Sequence, residues 1–257
     1  MSIDERTDHE RLLRPPRLRP RLQLRRLPRL LLNRVRETLR QAGAEFVGTG
    51  LLVAVIIGSG IMAERLTDDG AVRLLAASIA TALGLLVLIV VLQPLSGAHL
   101  NPVVTLAERA IGRPAGRTTA FVLAQCLGAI GGALLANAMF GVGTRLATTS
   151  RAEASTLLGE LVATAVLVIV ILALSRTGRA GLIAPAVAAW IGAAYWATSS
   201  TAFANPAVTL GRVFSDTFAG IDPSSALWFV GAELIGGALG LALVLLLFPG
   251  PRRKATA

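Results

Sequence analysis

Asn101-Pro102-Val103-Val104-Thr105-Leu106 returns later in the chain as Asn205-Pro206-Ala207-Val208-Thr209-Leu210. Each copy follows an apolar stretch and a small-residue turn, and each opens a segment too short to cross a bilayer. A lone Asn-Pro is common turn punctuation. Two copies, one in each half of an apolar chain, point instead to a duplicated re-entrant element of the kind that builds membrane pores.

The rest of the chain is membrane-like. Mean hydropathy is +0.67 and 54% of residues are apolar, outside soluble globular composition. Six windows reach the length a bilayer demands: 42–63, 74–95, 119–140, 157–174, 181–203 and 226–248. Six such windows leave no polar shell to surround a soluble core.

The net charge of +10 is unevenly placed. Residues 1–40 hold twelve Arg against five acids. In a soluble protein this would suggest nucleic acid. Beside a membrane span it reads as positive-inside sorting, with no nucleic-acid partner. Arg109, Arg113 and Arg117, and then Arg176 and Arg179, mark two further cytoplasmic loops. Both termini are therefore expected in the cytoplasm of a multi-pass protein of the inner or plasma membrane. Residues 1–38 are expected to be a disordered basic tail on the lipid surface, 39–248 the channel domain, and 249–257 a second cytoplasmic tail. Cys126 is alone, and His9 and His99 are too few for a metal site. No metal or cofactor is expected.

Three segment pairs repeat in order. Glu45-Phe46-Val47-Gly48-Thr49-Gly50 matches Glu160-Leu161-Val162-Ala163-Thr164-Ala165, and Phe121–Gln125 with Gly128 and Gly132 matches Phe229–Glu233 with Gly236 and Gly240. The Asn-Pro segments make the third pair. The offsets are 115, 108 and 104 residues. Each unit (about 39–141 and 154–248) thus holds three spans and one short element. An odd number of crossings inverts the second unit relative to the first. The expected fold is all-α: six transmembrane helices and two re-entrant half-helices in an inverted repeat.

Residues 102–112 and 206–216 would each make a helix of about 15 Å, half the bilayer core. Proline suits a first helical position and asparagine the cap before it. If both N-termini meet at the midplane, their dipoles repel cations while Asn101 and Asn205 donate to a neutral solute. The preceding loops, 96–100 and 201–204, cannot pair their carbonyls helically. Those of Gly97, Ala98, His99, Thr201 and Phe203 would form a ladder of acceptors along the path. Glu45 and Glu160, at matching places, are expected to brace the two loops. Glu233, opposite only Gln125, is expected to make a packing or polar contact rather than to carry transport chemistry, and Pro185 to kink the fifth span.

These residues resemble the major intrinsic protein family, the aquaporins and glycerol facilitators, over roughly residues 40–248. The resemblance rests on Ala44-Glu45-Phe46, Ser96–Pro102, Ala124-Gln125 and Asn205-Pro206-Ala207. It implies a homotetramer with one pore per subunit, passing water or small neutral solutes passively and catalysing nothing. It also implies a selectivity filter, which spacing from the motifs puts at Thr81, Ala193, Ala202 and Val208. The family usually carries Ala where this chain has Val103, and Arg where it has Val208. A filter of four small side chains would be wide and mostly apolar. That pattern, with Phe214-Ser215-Asp216, resembles a bacterial subgroup associated with arsenic-resistance gene clusters, which implies arsenite as As(OH)₃ or polyols such as glycerol. A water-selective pore is one alternative. A proton-coupled secondary transporter titrating Glu45, Glu160 or Glu233 is another.

Overall fold

A computed structural model describes residues 27–112 and 117–248. The parts of the expected tails at 1–26 and 249–257 lie outside the described residues. The chain divides into two compact units, residues 1–37 and 38–257. The described part of the first is helical, with exposed side chains at 32–36. The second holds both Asn-Pro segments.

The helices are α1 (Leu27–Leu66), α2 (Gly70–Ser96), α3 (Pro102–Ala110), α4 (Thr118–Phe140), α5 (Ala154–Arg176), α6 (Ile183–Ala197), α7 (Pro206–Arg212) and α8 (Pro223–Leu247), with a 3₁₀ turn at Ala180–Leu182 before α6. Among the described residues, six are long and apolar enough to cross a membrane, counting that 3₁₀ turn with α6. The two Asn-Pro segments are the short helices α3 and α7, but α3 stops at Ala110 and α7 at Arg212, short of the expected 112 and 216. Local chemistry sets the ends. Asp69 caps α2 by accepting from the Ala71 and Val72 amides at 2.8 and 3.0 Å, and Asp222 caps α8 through Ser224 and Ser225. Gly97 ends α2 at φ +96°, a conformation that costs glycine little.

Three expectations need correction. Helix α1 starts at Leu27, inside the stretch expected to be a disordered tail, because Leu and Arg are strong helix formers and Pro28 falls in a first turn. The fifth span ends at Ala197, not 203: Thr201, Ala202 and Ala204 take φ values of +62°, +51° and +49°, which no helix continues through. Pro185 sits in the first turn of α6, where its missing N–H breaks no hydrogen bond, so it marks a helix start and no kink.

The inverted repeat is visible in the packing. A Cβ on Gly128 would meet the Phe46 carbonyl oxygen at 2.2 Å, and one on Gly132 the Gly50 oxygen at 2.0 Å. In the second half, Gly236 faces the Leu161 oxygen at 2.4 Å and Gly240 the Ala165 oxygen at 2.4 Å. These are the positions the sequence repeat pairs. Helices α1 and α4 therefore meet backbone to backbone as α5 and α8 do, the small-xxx-small contact that lipid-embedded helices use. Outward, Leu83, Val87, Val90, Leu123 and Leu127 are exposed, as a surface facing hydrocarbon or neighbouring subunits must be.

Candidate pore

The short helices begin at Asn101 and Asn205. Asn101 accepts from the Val103 amide at 2.9 Å, and Asn205 from Ala207 and Val208 at 3.0 and 3.4 Å. Each asparagine also reaches the opposite loop: Asn101 Nδ2 donates to the Ala204 carbonyl at 2.8 Å, and Asn205 Nδ2 to the Leu100 carbonyl at 2.7 Å. A primary amide has two N–H groups. One from each asparagine is thus spent on locking the two loops together, which leaves one for a solute.

The loops are strained. Ala98 and Leu100 have φ of +50°, repeating in the first loop what Thr201, Ala202 and Ala204 do in the second. Such conformations cost about 1–3 kcal/mol each and persist only where the surroundings enforce them. Buried carboxylates enforce them here. Glu45 accepts from the His99 and Leu100 amides at 3.0 and 2.7 Å, from the Ser96 hydroxyl at 2.5 Å and from Gln125 at 2.8 Å. Glu160 accepts from the Phe203 and Ala204 amides at 2.8 and 2.7 Å. Glu233 joins them, accepting from the Asn205 amide at 3.1 Å and the Thr209 hydroxyl at 2.6 Å. Of the packing or polar contact expected of it, the structure shows the polar one, at the second loop's cap.

A cavity of about 230 Å³ runs beside these loops, lined along its length by Ser175 and Ile183, by Asn101 and Asn205, and by Thr81, Tyr195, Val208 and Arg212. Gly97, Ala98, His99, Ala202 and Phe203 line it as well. A second cavity of about 250 Å³ lies toward the α1–α2 loop and includes Thr201, Arg151 and Phe218. The two share Ile56, Tyr195 and Arg212. The carboxylates Glu45, Glu160 and Glu233 line neither.

Thr81, Ala202 and Val208 come together at this cavity, but Ala193 does not join them. It is exposed on the far side of α6. Tyr195 takes the wall position, 5% exposed, with its hydroxyl 2.9 Å from Thr81 Oγ1. Ile191 and Tyr195, on either side of Ala193 in the sequence, line the cavity in its place. Pro102, Val103, Pro206 and Ala207 are buried and hold the short helices without lining the cavity. Val103 has a specific seat: a Cβ on Gly237 would meet its Cγ1 at 2.2 Å, so the missing side chain at 237 makes room for the added methyls at 103.

A profile of the family described as Major intrinsic protein matches residues 33–201. The chain belongs to that family. Major intrinsic proteins are passive membrane channels and not enzymes, which also removes the proton-coupled transporter. The chain is 47% identical over 207 residues to "Aquaglyceroporin AqpS" of Rhizobium meliloti (strain 1021), covering 80% of this chain and 88% of that one. It is 31% identical over 229 residues to "Aquaporin TIP1-2" of Zea mays, covering 84% and 89%. Among solved structures it matches the aquaglyceroporin from Plasmodium falciparum with a TM-score of 0.67 and 20% identity, covering 82% of this chain and 97% of that one. That last likeness speaks for the major-intrinsic-protein fold alone.

Proposed function

We propose that this protein is a passive channel for small neutral solutes, glycerol-like polyols and metalloid acids such as arsenite as As(OH)₃, with a modest flux of water. The observation that carries the reading is one stretch of the cavity wall: Ala202 and Val208 are small, and Thr81 and Tyr195 bring hydroxyls to the same cavity. A polyol needs that combination, with apolar wall for its carbon backbone and a few fixed partners for its hydroxyls. Further along, the spare N–H of Asn101 and of Asn205 replaces water on the solute. The likeness to a protein named an aquaglyceroporin supports the polyol part.

The channel sits in the plasma membrane with both termini in the cytoplasm, as the arginine-rich loops favour. It assembles as a homotetramer, each subunit holding its own pore, with Leu and Val of the outer surface facing lipid or neighbouring copies. Tyr195 is the one feature that favours a water-selective pore, because its ring narrows the opening that Ala193 would have left. Stopped-flow light scattering on proteoliposomes, with water, glycerol and arsenite tested separately, decides between the two. Solute entry well above empty liposomes is expected. Fast water flux with no solute flux would overturn the solute reading in favour of the water-selective one.

A further inference from the structure

Val208 leaves the second motif without a positive charge at the third residue after Asn205. A buried arginine follows it one helical turn later. Arg212 is 4% exposed and lines both cavities. Residues four apart share a helix face, so Arg212 stands next to Val208 along the wall. With Ile56 and Tyr195 it forms the neck where the two cavities meet.

The surroundings fix this side chain through a ring and a carbonyl, not through a salt bridge. Its guanidinium lies 3.4 Å from the centre of the Phe203 ring, and its Nε donates to the Ala219 carbonyl. Arg151 stands 5.7 Å from the same ring and donates to the Gly220 and Phe218 carbonyls at 2.7 and 2.8 Å. Two arginines thus grip three successive carbonyls of one loop. Among the described residues, no carboxylate comes within salt-bridge distance of Arg212. The acids whose fields reach it, Glu160 and Glu233, already accept from the backbone at 203–205. A cation held at membrane depth with no carboxylate in direct contact is costly, and such groups face a bundle interior or a water-filled path and act there.

We propose that Arg212 is the charge barrier of this pore, repelling hydronium and alkali cations at the neck while Val208 leaves it wide enough for solutes. Width and charge, which one side chain at position 208 could have set together, are divided between two residues one turn apart. The proposal rests on the channel reading above and deepens it. A fixed charge within a few ångströms of the path, in surroundings less polar than water, changes cation entry on the order of 10- to 100-fold.

The test uses the full chain in liposomes, comparing the wild type with Arg212→Gln, Arg212→Lys and the double variant Val208→Arg/Arg212→Gln. Proton entry under a valinomycin-set potassium potential is read with an internal pH dye, and glycerol entry is read in the same vesicles. Arg212→Gln is expected to leak protons on the order of 10-fold faster than the wild type. Arg212→Lys should stay near the wild type, and the double variant should return toward it. A glutamine variant that passes glycerol and leaks no more than the wild type would overturn the proposal. So would a double variant as leaky as the single one, because then the grip on Ala219 matters and the charge does not. Arg212→His decides the matter if the glutamine variant does not fold: sodium leak should be low at pH 5.5, where histidine is charged, and high at pH 8. A pH-independent leak would count against the barrier. A wild type that admits no glycerol but gives the same ranking of leaks would overturn the solute reading and uphold the barrier.

Discussion

The Tyr195 hydroxyl and Thr81 Oγ1 lie 2.9 Å apart, tying α6 to α2 at the cavity wall. This contact holds an aromatic wall rigid opposite Ala202 and Val208. Tyr195→Phe removes one hydroxyl and leaves the ring, a loss of about 0.5–1.5 kcal/mol. Glycerol flux should change by no more than a few-fold. Tyr195→Ala removes the wall itself, and erythritol and sorbitol should then enter faster relative to glycerol. Rates across that polyol series check both. An unchanged size cutoff in Tyr195→Ala would mean that another ring of residues limits the pore.

Val208→Arg fills the space that distinguishes this pore. The new guanidinium would stand one turn from Arg212, which already carries a charge at the neck. Glycerol and arsenite flux should fall far more than water flux in the same vesicles, since water needs less width. Equal flux of every solute before and after would show that position 208 does not bound the narrow part.

The duplication was legible because it depends on residue identity. Asn, Pro, Glu and Gly at fixed offsets survive without any knowledge of loop length, and they located both short helices, both bracing carboxylates and both backbone crossings. The cavity wall was only partly legible, because counting back from Asn205 fixes a distance along the chain and not the face of α6 that a residue occupies. Ala193 was misplaced for that reason. A signal was present: Tyr195 is the chain's one tyrosine, a ring with a polar end in a run of Ala and Trp. Arg212 carried a signal too, as a full charge inside a segment expected to re-enter the membrane. The role of Glu233 was hidden, since only the fold brings it to the Asn205 amide.

Glu160 and Glu233 should respond differently to the same substitution. Both Glu160 oxygens accept backbone N–H groups from a strained loop. Glu160→Gln turns one acceptor into a donor facing a donor, at a cost of about 1–3 kcal/mol. Glu233 uses Oε1 twice, while its Oε2 has no donor among the described residues. Glu233→Gln copies the first repeat, where Gln125 Nε2 donates to Glu45 at 2.8 Å. Thermal unfolding in detergent should show a lowered Tm for Glu160→Gln and an unchanged or raised Tm for Glu233→Gln. Equal losses would mean that the two repeats do not support their loops in the same way.

Gly132 tests the backbone crossing on which the pore stands. A methyl there would lie 2.0 Å from the Gly50 carbonyl oxygen, and backbone cannot swing aside as a side chain can. Helices α1 and α4 would have to part, pulling Gln125 away from Glu45 and loosening the hold of Glu45 on the 96–100 loop. Gly132→Ala should cost at least about 1–3 kcal/mol, the range for overpacking, and should lower solute flux as the loop loosens. Gly231 is the control, because a Cβ there meets nothing within 4 Å. Gly231→Ala should be neutral or stabilising by up to about 1 kcal/mol, the propensity gained in a helix. Thermal unfolding and glycerol flux, measured on both variants, separate a general intolerance of alanine from a specific close approach. A Gly132→Ala as harmless as Gly231→Ala would show that α1 and α4 have room to separate, and that the crossing does not hold the loop.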